Sequence, residues 1–152
     1  MKKIIVFLGM FFCLVSLTSC LKSGLDEMPT YSDTDISSFN FEYRWYNDDA
    51  NHLEVTLMKT AYTIDKENAT VTCSITVPTG KVTLPEEKRT QVSLSNLVGY
   101  CDLSAAAIIT PIGDSPKLGD IQDFSKTNMQ YEVLAADGSK KVWTLIITAF
   151  NK

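Results

Sequence analysis

The chain is short of nearly everything that metal and nucleophilic chemistry needs. It has one histidine, His52, in 152 residues. Zinc sites built on several histidines and histidine-dependent triads are thereby nearly excluded. There is no CxxC pair, no Gly-x-Ser-x-Gly and no phosphate-cradling glycine loop. Basic residues are in deficit, 14 Lys+Arg against 18 Asp+Glu, a formal net charge of −4. A binder of nucleic acid needs a basic face, so that partner is not expected. Beyond residue 20 no stretch keeps a long amphipathic helical period. What is present, 45% hydrophobic and 21% charged residues, suits one packed domain. No enzyme, metal or cofactor is expected.

The first twenty residues form a targeting segment. Lys2 and Lys3 give a positive start, and residues 4–15 are apolar apart from Gly9. That run is too short for a transmembrane helix, which needs about 20 residues, and suits the core of a secretory signal. Leu17-Thr18-Ser19-Cys20 closes it. This resembles a bacterial lipobox: an aliphatic residue, two small residues, then the cysteine that is lipidated. The resemblance implies a signal peptide over 1–19 and a mature chain starting at lipidated Cys20. Two or more acyl chains hold a protein firmly where one does not. The body left after cleavage carries 12 Lys+Arg against 18 Asp+Glu. Anionic lipid repels such a body, so the lipid must be the anchor. Leu21, rather than Asp, follows the cysteine, which points to the outer membrane. Lys22-Ser23-Gly24 stand where Bacteroidetes surface lipoproteins carry acids, so the periplasmic leaflet and the cell surface both stay open.

Residues 20–35 read as a tether, with Gly24, Pro29 and Ser32 among several acids. From Ile36 the texture becomes that of strands. Phe39, Phe41, Tyr43 and Trp45 alternate with polar partners up to a turn at Asn47-Asp48-Asp49-Ala50-Asn51. Leu53, Val55 and Leu57 alternate again, in a strand that could run on through Tyr62 and Ile64. Val71, Cys73, Ile75 and Val77 give the cleanest alternation in the chain. Residues 81–89, charged and holding Pro85, read as loop or edge, and 111–120 as a long loop. Residues 129–136 and 141–149 form a hairpin around Asp137-Gly138. Tyr131, Val133 and Ala135 would share its inner face with Trp143, Leu145 and Ile147. The expectation is an all-β, immunoglobulin-like antiparallel sandwich of about seven strands over residues 36–152.

The last third resembles a module of Bacteroidetes cell-envelope lipoproteins with immunoglobulin-like domains. Its hairpin has the form Tyr-x-Val-x-Ala-x-Asp-Gly-Ser-x-Lys-x-Trp-Thr, matched here from Tyr131 to Thr144. Ile109-Thr110-Pro111 and Asp123-Phe124-Ser125 match the segments before it. The hairpin lacks the common Glu before Asp-Gly. The resemblance implies an envelope protein doing carbohydrate-related work. The leading expectation is a non-catalytic binding or accessory module, with polysaccharide as the candidate ligand. The rival is a structural or interaction subunit pairing with other envelope proteins.

Sugars stack on exposed rings, which singles out Tyr46, pointing away from the Phe39 face, and Tyr100. Trp45 and Trp143 read as core. Cys73 and Cys101 remain once Cys13 is removed and Cys20 is lipidated. They could bridge, closing 29 residues and adding about 3.5 kcal/mol, or they could be two buried thiols. The acid groups Asp33-Thr34-Asp35 and Asp48-Asp49 do not have the spacing of a complete calcium loop and read as solvated turns.

Overall fold

Alternation decides which side of each strand is buried, and the two sheets follow from that choice. The computed structural model describes residues 30–80 and 84–152. The expected signal peptide, Cys20 and the tether up to residue 29 lie outside the described residues. Strand β1 (Ile36–Asn47) turns Phe39, Phe41 and Tyr43 inward. A register shift between Ile36 and Ser38 lets Ile36 point inward as well. Its partners are antiparallel: β2 (His52–Leu57) on one side and β5 (Leu97–Leu103) on the other, with the two-residue β7 (Ile121–Gln122) beyond. The second sheet is ordered β3 (Lys59–Asp65), β4 (Thr70–Thr76), β9 (Lys140–Asn151), β8 (Met129–Leu134) and β6 (Ile108–Ile112).

The all-β sandwich is as expected, with four departures. The described residues hold nine strands rather than about seven, because the stretch 53–64 makes two strands and the two-residue β7 follows the segment read as loop. The pairing is not purely antiparallel, since β4 lies parallel to β9. Residues Glu86–Gln91 form a short helix, α1, where loop or edge was expected, with Glu86 and Glu87 in its first turn. The strand that could have run on from Leu53 through Ile64 is divided at Met58. There the chain leaves the four-stranded sheet, after the Met58 N–H donates to the Phe41 carbonyl at 2.9 Å, and enters the five-stranded one. Thr56 and Met58 take the buried side, so Leu53, Val55 and Leu57 face solvent, 57%, 49% and 60% exposed.

The core lies between the sheets. Phe41 meets Phe124 edge to face, ring centres 5.2 Å apart. Phe124 is aimed inward by an Asx turn in which Asp123 accepts the Ser125 N–H at 2.9 Å. The β8–β9 hairpin buries Tyr131, Val133, Ala135, Trp143 and Leu145 as its pattern requires, and Gly138 takes φ +91° at its tip. Gly99 on β5 is a site of close approach. A Cβ there would fall 2.7 Å from the Phe124 ring, which is fully buried and cannot yield. Gly99→Ala is therefore expected to destabilise the domain by about 1–3 kcal/mol, read as a lower urea midpoint at unchanged slope. An unchanged midpoint would mean that ring has room to move.

The segment ahead of β1 is tied to one end of the sandwich. The Asp137 N–H donates to Tyr31 O at 3.2 Å, and the Trp143 indole donates to Thr34 O at 2.9 Å. Asp35 pairs with Lys66 at 2.8 Å and Lys141 at 3.4 Å. These contacts, Lys66 foremost, hold its carboxyl below the usual carboxylate range.

Candidate functional site

β1 carries the chain from that end to the opposite one, and its last residues build the most functional-looking part of the molecule. Phe39, Phe41 and Tyr43 are buried, but Trp45, next on the same face, is only half-buried. The sandwich ends there, so the indole packs on the core on one side and is open on the other. Its N–H donates to Thr56 Oγ1 at 3.3 Å, which fixes the ring. The open side borders a pocket of about 290 Å³, walled by Asn47, Asp48 and Asp49 after β1 and by Pro85, Glu87 and Lys88 of α1. The Lys88 ammonium sits 5.9 Å from the ring centre, within range of a cation–π contact. An indole face beside amide and carboxylate acceptors and one ammonium can hold a flat, hydroxyl-bearing ring: apolar contact below, hydrogen bonds at the edges.

The expected aromatic pair lies elsewhere on β1 and β5. Tyr46 is 48% exposed, and its hydroxyl donates to Asn51 Oδ1 at 2.5 Å. Tyr100 is half-buried opposite Asn40, and burial, with Glu42 and Asp102 nearby, raises its hydroxyl pKa. Both are on the outer face of the four-stranded sheet. The six-residue step along β1 from Asn40 to Tyr46 separates them by roughly 20 Å, and the Arg44–Glu42 ion pair, at 2.6 Å, lies between. They form no continuous platform. Trp143 is core, 1% exposed. The sequence offered one hint of the pocket, an aromatic run that continues to the last residue before a turn, where the core has already ended.

Cys73 and Cys101 are free thiols in this structure, on β4 and β5 in different sheets. Burial pushes each thiol up to about 12, with Asp102 adding to the effect at Cys101. Of the acid groups, Asp35 is taken up by its two lysines, and Asp48 and Asp49 border the pocket. Among the described residues, no three His, Cys, Asp or Glu side chains are grouped to hold a metal ion. A second pocket, of about 280 Å³, lies between Ile112–Ser115 and Lys126–Gln130 and has no aromatic wall.

The other prominent surface is the edge of β2, which pairs with no strand but β1 among the described residues. Leu53, Val55 and Leu57 project from it in a row, beside Tyr46, Arg44 and Glu42 of β1. The His52 ring lies 2.9 Å from Glu54 on the opposite face of the strand.

Residues 36–146 match the DUF5018-related family. A crystal structure of a candidate secreted protein from Bacteroides fragilis NCTC 9343 superposes with a TM-score of 0.71. It is 35% identical and covers 82% of this chain and 100% of its own. No curated protein matches. Both findings agree with the resemblance to Bacteroidetes envelope proteins. Among the described residues, no helix is long and apolar enough to cross a membrane. The matched Bacteroides chain aligns over its whole length, so in that crystallised protein the sandwich is the whole chain.

Proposed function

Since the chain belongs to the DUF5018-related family, we propose that it is an exported envelope module, anchored in the outer membrane through lipidated Cys20, that binds a carbohydrate without transforming it. The observation that carries the ligand is the open indole of Trp45 at the foot of a pocket bordered by Asn47, Asp48, Asp49 and Glu87. Aromatic faces meet the apolar side of a sugar ring, and side-chain oxygens accept from its hydroxyls. The same grouping lacks what cleavage would need: nothing draws two of these carboxylates into an apolar cleft across a glycosidic bond. The pocket serves recognition, and Tyr46 and Tyr100 are peripheral to it.

The test is retardation of residues 30–152 in native gels cast with plant, host and microbial polysaccharides. Trp45→Ala is expected to weaken binding to any retaining glycan by about tenfold or more, while Tyr100→Ala leaves it unchanged. Equal retardation of Trp45→Ala and the unaltered protein would remove the pocket. Absence of retardation by every glycan would remove the carbohydrate.

The rival reading, a structural or protein-interaction subunit, is favoured by a separate observation, the bare apolar edge at β2. An unpaired strand with a row of aliphatics is a template for another chain.

A further inference from the structure

Two sheets have four edges, and three of them are blunted. β7 is two residues long, β6 contains Pro111, which cannot donate to a further strand, and β3 turns Lys59, Ala61, Thr63 and Asp65 outward in place of aliphatics. β2 has none of these devices. Its sequence, His-Leu-Glu-Val-Thr-Leu, holds no lysine and no proline, and its outward row is apolar.

We propose that this edge is completed by a second copy of the chain, paired antiparallel across a two-fold axis through Val55. The strand is complementary to itself in that register. Val55 faces Val55 of the other copy, Leu53 faces Leu57, and Glu54 faces Thr56, so no like charges stand directly opposite. Each Glu54 is already held by its own His52 and by Asn47. The ends of the strand are complementary too. Asp48 and Asp49 precede it and Lys59 follows it, and none of the three has an ion-pair partner among the described residues. The two-fold sets Lys59, the first residue of β3, at the end of the strand pair where Asn51 and the acidic turn of the other copy lie. The four-stranded sheet thereby becomes one sheet of eight, with the two aliphatic rows side by side in contact on its outer face. The contact is a single strand pair, smaller than a standard interface, so the dimer is a weak one that forms as concentration rises. The proposal takes the rival reading above as its premise, and its end contact shares Asp48 and Asp49 with the Trp45 pocket.

Cysteine cross-linking reads the register directly. Across the axis, opposed Cα atoms lie about 4.5–5.5 Å apart, within reach of a disulfide. In residues 30–152, Val55→Cys is expected to form a covalent dimer with oxidised glutathione. Leu53→Cys alone is not, because its own counterpart is four residues away, roughly 13 Å. A mixture of Leu53→Cys and Leu57→Cys is expected to cross-link. Cys73 and Cys101 stay silent, since burial keeps both thiols protonated. Val55→Lys, at an exposed position that leaves folding intact by circular dichroism, should abolish the concentration-dependent dimer seen by sedimentation between about 10 μM and about 1 mM. A monomer throughout that range, or Leu53→Cys cross-linking to itself as readily as Val55→Cys, overturns the proposal. If the chain stays monomeric while Val55→Lys displaces it from its place in the envelope, the edge docks another protein. The rival reading then survives and the second copy does not.

Discussion

Trp143→Ala is expected to cost the domain about 3–5 kcal/mol, the range for deleting a large buried ring. Trp143 is 1% exposed and sits at the centre of the β8–β9 face, opposite Tyr131 in the register. Three contacts go with it. The ring fills space beside Tyr131 and Leu145, its N–H holds the Thr34 carbonyl at 2.9 Å, and the Lys141 ammonium rests 4.8 Å from its centre. A domain of this size has about 5–15 kcal/mol in all, so the variant retains only part of its stability at 25 °C. Trp143→Phe separates the contributions. It refills most of the volume and loses the indole donor, so its cost should be distinctly smaller and should appear as faster hydrogen exchange at residues 30–35. Urea midpoints of the three proteins make the measurement. A loss below about 1.5 kcal/mol for the alanine variant would mean that the hairpin closes over the gap.

The second large effect is alkaline weakening. Both thiols are pushed up to about 12 from a usual value of 9.0. In the unfolded chain they lose protons near pH 9, while in the folded chain they keep them. Their contribution is therefore complete below about pH 8 and falls as pH climbs toward 12. At pH 10.5 each thiol has withdrawn about 2 kcal/mol, so about 4 kcal/mol together. The buried Tyr131 hydroxyl, also raised, adds in the same direction above pH 10. Urea denaturation at pH 8.0 and 10.5, repeated on the Cys73→Ala/Cys101→Ala pair, isolates the thiols. The variant should start less stable and lose markedly less between the two pH values. Parallel losses in the two proteins would mean that the thiols are bridged or open to water.

The parts of this fold that could be read from the sequence are those whose partners are near in the chain. The β8–β9 hairpin announced itself through Asp137-Gly138 and matched alternation on both arms, and β4 through four apolar residues at period two. What depended on distant partners stayed hidden. The division at Met58 leaves only a misleading mark: the apolar positions pass from Leu53, Val55 and Leu57 to Met58, Tyr62 and Ile64, and nothing local says that the second set lies on the inner side. The parallel pairing of β4 with β9 joins segments about seventy residues apart, which no local pattern encodes. α1 is six polar and charged residues with none buried, so it has no apolar period to detect. The pocket is missed for the same reason as the pairing. Trp45 shares the parity of three core rings, and only the arrival of Pro85 to Lys88 beside it shows that the core has stopped short.

β1 runs from one pole of the sandwich to the other. Thr34 and Asp35 are clamped at the first pole, and Trp45 lies roughly 30 Å further along, nine residues beyond Ile36. If the proposed lipid anchor holds the chain ahead of Thr30, it holds it at the pole opposite the Trp45 pocket. Anchored there, the indole would stand at the end of β1 farthest from the membrane attachment.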